Sequence, residues 1–491
     1  MKLKKLLYKI DYQLLSGNDD IEVSDLSYEF NKIKDNSVFV AIVGNNIDGH
    51  NYIDVAIDNG ASVVIVSKKI ELRDGITIVL VENTSKILSR LSMNYFDSSH
   101  EKITMIAITG TKGKTTTSFM IKNIIEEAGY SCGIIGTLGI YIKDKYYESK
   151  NTTPISYDIL KYIDEMVKAD IRYVVIEVSS QALKYDRVNG ILFDYGVFTN
   201  LTEDHIGKYE HNNMDDYVDS KSRLFKQCKN GILNMDDLYF TKMINDCVCK
   251  VYTYGYKLGA LLRTDKIDLY KEGNKLGINL VVGGIINDEF KISVPGKFSS
   301  YNAMAAILTC YLLGIDTVYI KNALSDFFVK GRVELISILD DVLLLIDYAH
   351  NGISTKSILS TIREYKPKRI VTIFGCGGNR SRSRRYEMGE MAGRYSDFCI
   401  ITEDNNRFEE FDDIVKDILV GMKKTNCEYE IIADRKDAIK YAINNAQSGD
   451  IIMLLGKGHE TYKEIKGIKY DFDERVVIKE ILSENKKSSL C

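Results

Sequence analysis

The sequence lacks several features that would place it in other classes of protein. It has no tryptophan and only 3 prolines among its 491 residues. It also has no apolar run approaching the roughly 20 residues that a membrane-spanning helix needs. The basic start MKLKKLLYKIDYQLL is interrupted by Asp11 and Gln13, so it predicts an amphipathic first helix rather than a secretion signal. We therefore expect no membrane segment.

The chain also lacks an excess of either charge. Lys and Arg number 65 against 69 Asp and Glu, which leaves a net charge of −4. Nucleic-acid-binding proteins usually carry a basic excess, so we interpret the basic run NRSRSRR (379–385) as a solvated face and expect no nucleic-acid partner. The 45% hydrophobic and 27% charged residues are typical of globular proteins and exclude a disordered or collagen-like chain.

The nine cysteines are odd in number and scattered. Cys247 and Cys249 form one CxC without the second pair that a structural zinc site needs. We interpret all nine as reduced thiols of a cytosolic protein.

Alternating strands and helices predict an α/β protein with mostly parallel sheets. At about 150 residues per domain, the length suggests roughly three domains, and we place them at residues 1–98, 99–330 and 331–491. The predicted buried strands are VFVAIVG (38–44), ASVVIVS (61–67), KITMIAITG (102–110), YVVIEVSS (173–180), YGVFTN (195–200), VLLLIDYAH (342–350), RIVTIFGCGG (369–378), FCIITEDN (398–405) and DIIMLLGKG (450–458).

A phosphate-binding loop is predicted at ITGTKGKTTT (108–117), between a buried strand and a helix. Gly110 and Gly113 let the backbone N–H groups turn towards phosphate oxygens, and the helix N-terminus adds a positive dipole end. Lys114 can reach the outer phosphates and Thr115 can hold Mg²⁺. Ile108 stands where the general GxxxxGK[ST] pattern has glycine, so the loop has the compact form TGTxGKT.

Two further side chains can complete a metal site beside this loop. Glu177 lies in the strand YVVIEVSS, and His205 follows the strand YGVFTN. Carboxylate oxygens are ligands that Mg²⁺ prefers, and the loop upstream favours this interpretation over a purely structural role.

Nine motifs occur in an order that resembles the Mur ligases, the ATP-dependent amide ligases of cell-wall precursor synthesis. They cover nearly the whole chain: TGTKGKTTT (109–117), NTTP (151–154), EVSSQAL (177–183), FTNLTEDH (198–205), YNAMAAI (301–307), GRVE (331–334), DYAH (347–350), FGCGG (374–378) and GKGHE (456–460). The resemblance is greatest to the members that add the third residue to a UDP-linked muramoyl dipeptide.

The resemblance implies a small α/β domain for the UDP-substrate, a central P-loop ATPase domain and a C-terminal Rossmann-like domain for the amino acid. It implies ATP and Mg²⁺ as cofactors, an acyl phosphate intermediate, and a monomer. The residues that it implies for ATP are Gly110, Thr111, Lys112, Gly113, Lys114, Thr115, Thr116, Asn302, Arg332 and Asp347. His350 lies in the same DYAH motif as Asp347, but the resemblance gives it no specific role. For the metal it implies Thr115, Glu177, His205 and Lys221, the lysine as a carbamate.

The same resemblance implies two substrate sites. The UDP-muramoyl substrate is expected at Asn151, Thr152, Thr153, Ser180 and Arg187, and the amino acid at Arg385, Asp404, Asn405, Arg407, Gly456 and Glu460. A free lysine has only donors and cannot bind Mg²⁺, whereas a carbamate offers oxygens, so the modification of Lys221 makes chemical sense.

Some positions depart from the family pattern. Glu29, Phe30 and Asn31 align with a usual Asp-Ser-Arg triplet at the nucleotide pocket, and Gln181 stands where histidine is common. DHIGKYEH (204–211) and DYAHNGIS (347–354) look like the versions in lysine-adding members.

The choice of amino acid is therefore open between two diamino acids. Diaminopimelate-adding members carry Asp-Asn-Pro-Arg, and this chain has Asp404, Asn405, Asn406 and Arg407. Arg407 can form two parallel hydrogen bonds with a distal carboxylate that diaminopimelate has and lysine lacks. The charge of Arg407 therefore favours meso-diaminopimelate over L-lysine as the substrate. Two alternatives remain: a related ligase with another acceptor or amine, and a nucleotide-binding regulator without activity.

Overall fold

The computed structural model describes residues 1–44, 47–203, 206–207, 210–273, 275–339 and 341–488. The chain divides into two compact units. The first comprises Met1–Arg263 and Met304–Ile320, and the second comprises Thr264–Ala303 and Lys321–Cys491.

The first unit begins with a five-stranded sheet of order β1-β5-β4-β3-β2, in which only the β1–β5 pair is antiparallel. The predicted first helix is confirmed only as one short turn that ends at Leu6, and Lys9, with a left-handed φ of 61°, follows it. The elements are α1 (Leu3–Leu6), β1 (Gln13–Ser16), β2 (Asp25–Ser27), β3 (Ser37–Val40), α2 (Ile53–Asp58), β4 (Ala61–Val66), β5 (Thr77–Leu80) and α3 (Thr84–Tyr95), with 3-10 turns at Phe30–Lys32, Gly49–Tyr52 and Ser99–Lys102.

A second sheet follows in the first unit. Its parallel strands β13, β12, β11, β6, β10 and β7 lie side by side in that order and continue antiparallel into β8 and β9. The elements are β6 (Thr104–Thr109), α4 (Lys114–Glu127), β7 (Cys132–Gly136), β8 (Gly139–Ile142), β9 (Lys145–Tyr147), α5 (Ser156–Lys168), β10 (Tyr173–Glu177), α6 (Ser180–Lys184), β11 (Phe193–Phe198), α7 (Met214–Ser222), β12 (Cys228–Asn234), α8 (Phe240–Ile244) and β13 (Lys250–Gly255), with a 3-10 turn at Arg223–Lys226.

The chain then passes into the second unit through β14 (Leu262–Glu272), followed by β15 (Lys275–Gly284) and β16 (Asp288–Ile292). The next helices, α9 (Lys297–Leu312) and α10 (Thr317–Ser325), belong to both units, since Met304–Ile320 is part of the first. A six-stranded sheet of order β17-β18-β22-β19-β20-β21 follows, parallel except at the β17–β18 pair. The remaining elements are β17 (Glu334–Leu339), β18 (Val342–Asp347), α11 (Gly352–Arg363), β19 (Arg369–Phe374), α12 (Arg382–Tyr395), β20 (Phe398–Ile401), α13 (Phe411–Met422), β21 (Glu428–Ile431), α14 (Arg435–Asn444), β22 (Asp450–Leu455), β23 (Tyr462–Ile465), β24 (Ile468–Asp471) and α15 (Glu474–Ser488).

The α/β class with parallel sheets is thus confirmed. The central strands have apolar side chains on both faces and are buried along their length, as in β10 and β22, because helices cover both sides of a parallel sheet. Loops at the carboxyl ends of such strands are where α/β proteins bind ligands. In the described part of the chain, no helix is long and apolar enough to cross a membrane.

Candidate active site

The predicted phosphate loop has the expected strand–turn–helix geometry. Strand β6 ends at Thr109 and helix α4 begins at Lys114. Gly113 has a φ of 85° at the start of the helix, and Gly110 has a φ of 152°. A Cβ added at Gly110 would lie 1.9 Å from Thr199 Oγ1, so the packing at this turn requires glycine. The loop backbone therefore curls closely in front of the helix N-terminus, where it can receive an anion.

Asn200 holds this loop from the neighbouring strand end. Its Oδ1 accepts from Lys112 N at 3.0 Å, and its Nδ2 donates to Lys112 O at 3.0 Å. Its carbonyl oxygen accepts from Thr111 N at 2.8 Å. The side chain of Thr111 lies 3.0 Å from Tyr217 Oη. Asn200 belongs to the motif FTNLTEDH, but neither Asn200 nor Tyr217 is among the site residues predicted from the sequence.

Two lysines converge on one carbonyl of the loop. Lys114 Nζ and Lys221 Nζ each donate to Gly110 O at 2.9 Å, and Lys114 Nζ also donates to Thr111 O at 3.1 Å. Lys221 lies on α7, is 1% exposed, and has its Nζ 4.7 Å from the centroid of the Tyr217 ring. The structure therefore brings together two of the residues predicted around the phosphates, and it buries a lysine that an isolated pattern would place at the surface.

A hydrogen-bonded chain of oxygens connects Thr115 to the loop NTTP. Thr115 Oγ1 donates to Glu177 Oε2 at 3.0 Å, and Thr137 Oγ1 donates to the same oxygen at 2.9 Å. Thr137 Oγ1 also lies 3.1 Å from Thr152 Oγ1, and Thr137 N donates to Glu177 Oε1 at 3.1 Å. Thr137 was not among the site residues predicted from the sequence. Its position directly after the buried strand β7 is the only sequence signal that could have indicated a role in the site.

These oxygens suit Mg²⁺, but they do not by themselves make a complete ligand set. Within the described ranges, no three His, Cys, Asp or Glu side chains are grouped to hold a metal ion. The carboxylate of Glu177 and the hydroxyl of Thr115 match the oxygen preference of Mg²⁺. Unmodified Lys221 does not fit, because an ammonium has no acceptor. His205, the other predicted ligand, lies outside the described residues.

The residues predicted for the muramoyl substrate surround the end of β10. Thr153 is buried; its Oγ1 donates to Glu177 O at 2.8 Å, and its carbonyl accepts from Arg187 Nη1 at 2.8 Å. Ser180 Oγ lies 2.9 Å from His211 Nε2. Burial lowers the pKa of His211. Asn151 is exposed and Thr152 half-buried, so this loop offers polar groups at a surface beside Glu177.

A cavity of about 620 Å³ lies next to this loop within the first unit. Its lining joins the ends of β3 and β5 to the region after α6, and includes Gly44, Asn83, Ser85, Ser156, Lys184 and Arg187. Glu29, Phe30 and Asn31, which align with the family's nucleotide triplet, are not among the described residues that line it. The Phe30 ring stacks on Tyr52 with centroids 4.3 Å apart and an interplanar angle of 4°.

Three of the predicted ATP contacts lie in the second unit. Asn302 is buried in α9. Asp347 ends β18, where its carboxylate accepts from Val333 N at 2.9 Å and Ala349 N at 2.8 Å, and burial raises its pKa. The Arg332 guanidinium lies 4.7 Å from the centroid of the Tyr348 ring. The residue without an assigned role, His350, has its Nδ1 2.8 Å from Tyr348 O.

The predicted amino-acid residues cluster at the carboxyl ends of β20 and β22. Asn405 Nδ2 donates to Glu460 Oε2 at 2.9 Å. A Cβ at Gly456, whose φ is 110°, would lie 2.6 Å from Asp404 Oδ2. The buried Lys457 contacts Asp404, Asn405 and Glu460 through its Nζ, although the sequence analysis gave it no role.

The two arginines of this region are held differently. Arg385 is buried, and its two terminal nitrogens each donate to Glu409 at 2.8 Å, while Nη1 also donates to Asp417 at 2.9 Å. Arg407 is half-buried; its Nη1 donates to Gly378 O at 2.7 Å and its Nε to Glu464 at 3.3 Å. Both guanidinium groups therefore have protein partners, but buried Arg385 binds two carboxylates, whereas half-buried Arg407 binds one carboxylate and one carbonyl.

The fold and the loop define a protein of the P-loop α/β class. The model of the Mur ligase middle domain matches residues 108–310, and the model of the Mur ligase glutamate ligase domain matches residues 331–458. A UDP-N-acetylmuramoyl-L-alanyl-D-glutamate–2,6-diaminopimelate ligase of Caldanaerobacter subterraneus subsp. tengcongensis is 40% identical, across 99% of this chain and 100% of that one. One from Clostridium perfringens is 39% identical, across 98% and 99%.

A solved structure of a UDP-N-acetylmuramoyl-L-alanyl-D-glutamate–2,6-diaminopimelate ligase, 25% identical, superposes with a TM-score of 0.73 over 99% of both chains. The chain belongs to the Mur ligase family, which confirms the resemblance drawn from the nine motifs.

Proposed function

We propose that the chain joins meso-diaminopimelate to UDP-N-acetylmuramoyl-L-alanyl-D-glutamate at the expense of ATP. The observation that carries the proposal is the full-length similarity to ligases named for this amino acid. It is supported by the two lysines, Lys114 and Lys221, that donate to Gly110 O, and by the hydrogen bond between Thr115 and Glu177.

The residues around the loop suit phosphoryl transfer, in which positioning and charge neutralisation dominate. ATP with Mg²⁺ would supply the phosphoryl group that turns a substrate carboxylate into an electrophile for the incoming amine. Lys114 is placed to neutralise phosphate charge, and the oxygens of Thr115 and Glu177 are suited to hold Mg²⁺. The loop N–H groups before α4 would bind phosphate oxygens.

Carbamylation of Lys221 is supported by its surroundings. Its ammonium is buried and donates to the same carbonyl as Lys114, so two cations meet at one acceptor. Burial disfavours the charged form of a lysine, and a neutral amine is the form that reacts with CO₂. A carbamate would replace one of the two positive charges by a negative group with oxygens suited to Mg²⁺.

The two substrates would lie on different parts of the chain. The cavity lined by Arg187, Ser156 and Asn83 would take the UDP-muramoyl substrate, with a guanidinium to meet phosphate or carboxylate oxygens. The cluster at Asp404, Asn405 and Glu460 would take the amino acid. We therefore propose the same three domains as predicted from the sequence: residues 1–98 for the UDP-substrate, 99–330 for ATP and 331–491 for the amino acid.

Arg407 supports diaminopimelate over lysine. A guanidinium at the edge of an acidic cluster can receive the distal carboxylate of diaminopimelate, and it would face an ammonium if the substrate were lysine. The lysine-like motifs DHIGKYEH and DYAHNGIS are the observation that keeps L-lysine as the second candidate.

The test is phosphate release by the purified protein with ATP, Mg²⁺ and the UDP-dipeptide. Diaminopimelate and L-lysine are supplied in parallel, and a reaction without an amino acid gives the background. We expect turnover with diaminopimelate. Turnover with lysine alone would overturn the choice of amino acid, and no turnover with either would overturn the proposed reaction.

A further inference from the structure

Lys457 is a buried lysine in the loop that follows β22. Its side chain is 1% exposed. Its Nζ lies 3.1 Å from Asn405 Oδ1, 3.3 Å from Glu460 Oε2 and 3.4 Å from Asp404 Oδ1. A buried ammonium is stable only when it is paired and hydrogen-bonded, and here all three partners are side chains of the amino-acid cluster.

The partners are also connected to one another. Asn405 Nδ2 donates to Glu460 Oε2 at 2.9 Å, and Asn405 Oδ1 accepts from Glu464 N at 2.9 Å. The Lys457 ammonium therefore closes a network that joins the loop after β20 to the loop after β22. Removing the ammonium would leave the carboxylates of Asp404 and Glu460 without their shared cation.

We propose that Lys457 is a positioning residue of the amino-acid site, an inference that rests on the proposed function. Its charge balances one of the two carboxylates of Asp404 and Glu460 and its hydrogen bonds fix their direction, so that the three side chains leave one net negative charge for an ammonium group of the incoming diamino acid. Without this cation, the buried carboxylate of Asp404 and the half-buried carboxylate of Glu460 would repel each other.

The charges around Asp404 agree with this role. Burial raises the pKa of Asp404, but the charges of Lys457 and Arg435 more than offset this and hold that pKa below its usual value. Glu474, Tyr348 and Cys376 also lie within its electrostatic reach. Without Lys457, the pKa of Asp404 should rise, because Arg435 is already shared with Glu474 through a bond of 2.9 Å.

The proposal is tested by Lys457→Met, with Lys457→Arg as the charge-keeping variant. The control is Lys463→Met, since Lys463 Nζ donates at 2.6 Å to Glu403, the residue before Asp404. We expect Lys457→Met to raise the KM for the amino acid by at least about tenfold, because one partner of a buried charge network is lost, while the KM values for ATP and the UDP-dipeptide stay near wild type.

The arginine variant should recover much of the lost affinity, and the Lys463 variant should resemble the wild type. The acidic limb of kcat/KM for the amino acid should move to higher pH in Lys457→Met. An unchanged amino-acid KM, or an equal loss for all three substrates with an unmoved pH profile, overturns the proposal.

If Lys457→Met does not fold, Lys457→Gln is measured in the same way, and a wild-type amino-acid KM in that variant also overturns the proposal. Wild-type activity separates the two levels of inference. If the wild type turns over neither amino acid, both the proposed function and the role of Lys457 are refuted. If the wild type is active and the Lys457 variant has the same KM for the amino acid, only the role of Lys457 is refuted.

Discussion

Replacing Arg385 by methionine would remove the guanidinium that joins α12 to α13 and to the loop before α13. Arg385 lies in α12 and binds Glu409 with both terminal nitrogens at 2.8 Å and Asp417 at 2.9 Å. Methionine keeps most of the apolar stem, so the change removes the charge and its hydrogen bonds with little loss of volume. Glu409 would keep only its hydrogen bond from Asn379 N, and Asp417 only the looser contact of 3.8 Å with Arg382.

The expected loss of stability is large. Removing one partner of a buried ion pair costs roughly 3–5 kcal/mol. Glu409 and Asp417 are 29% and 13% exposed, so solvent screens part of the remaining charge and we expect about 3 kcal/mol. For a unit of this size that corresponds to a fall of about 6–12 °C in Tm.

The effect should depend on pH in a fixed direction. The hydrogen bond from Arg385 is the main reason that the pKa of Glu409 is lowered to about 2. A carboxylate whose pKa is lower in the folded state stabilises the fold above its unfolded pKa, about 4.3. That contribution is lost as pH falls towards the folded pKa. The difference between wild type and Arg385→Met should therefore be complete at pH 7 and should shrink below about pH 4.

Thermal unfolding followed by circular dichroism at pH 7 and pH 3 measures both effects. Arg394→Met is the control, since Arg394 lies on the same helix but forms a surface pair with Glu390, and it should lose little stability. The reasoning is refuted if Arg385→Met is as stable as Arg394→Met. A stable Arg385→Met that has lost only its affinity for the amino acid would support the sequence-based prediction that Arg385 binds substrate.

Two further predictions concern the active site. Gly110→Ala should lower turnover on the order of 100-fold, because its Cβ would lie 1.9 Å from Thr199 Oγ1 and the loop would have to move. The control is Gly129→Ala, at a φ of 83° in open space, which should keep its turnover. A fully active Gly110→Ala would contradict the role given to the loop. Arg407→Lys should lower kcat/KM for diaminopimelate about tenfold or more, and it should not lower kcat/KM for lysine. If the control Arg394→Lys loses as much activity in the same assay, Arg407 has no specific role in binding diaminopimelate.

The backbone of the site was predictable because its signals are local. The apolar run before Gly110 and the helix after it specify β6, the turn and α4, and the strands ending at Glu177 and Asp347 follow from the same kind of pattern. The first helix is short: it ends at Leu6, and the chain turns through the left-handed residue Lys9 before β1. A hydrophobic pattern does not show such a turn.

The partners of the charged side chains could not be predicted in this way. Lys221 meets Gly110 across 111 residues, and Lys457 meets Asn405 across 52. Arg385 looks like a free basic group in NRSRSRR, yet it is buried between two carboxylates. Such contacts depend on which strand ends and helices become neighbours in the fold, so only the three-dimensional structure shows whether a basic side chain is available to a substrate.

Competition between the two amino acids tests which of them the wild-type enzyme uses. Equimolar meso-diaminopimelate and L-lysine are mixed with ATP, Mg²⁺ and the UDP-dipeptide, and the products are separated by mass. We expect the product to carry diaminopimelate almost exclusively. A product that carries mainly lysine would contradict the role given to Arg407, and the absence of any amide product would contradict the proposed reaction.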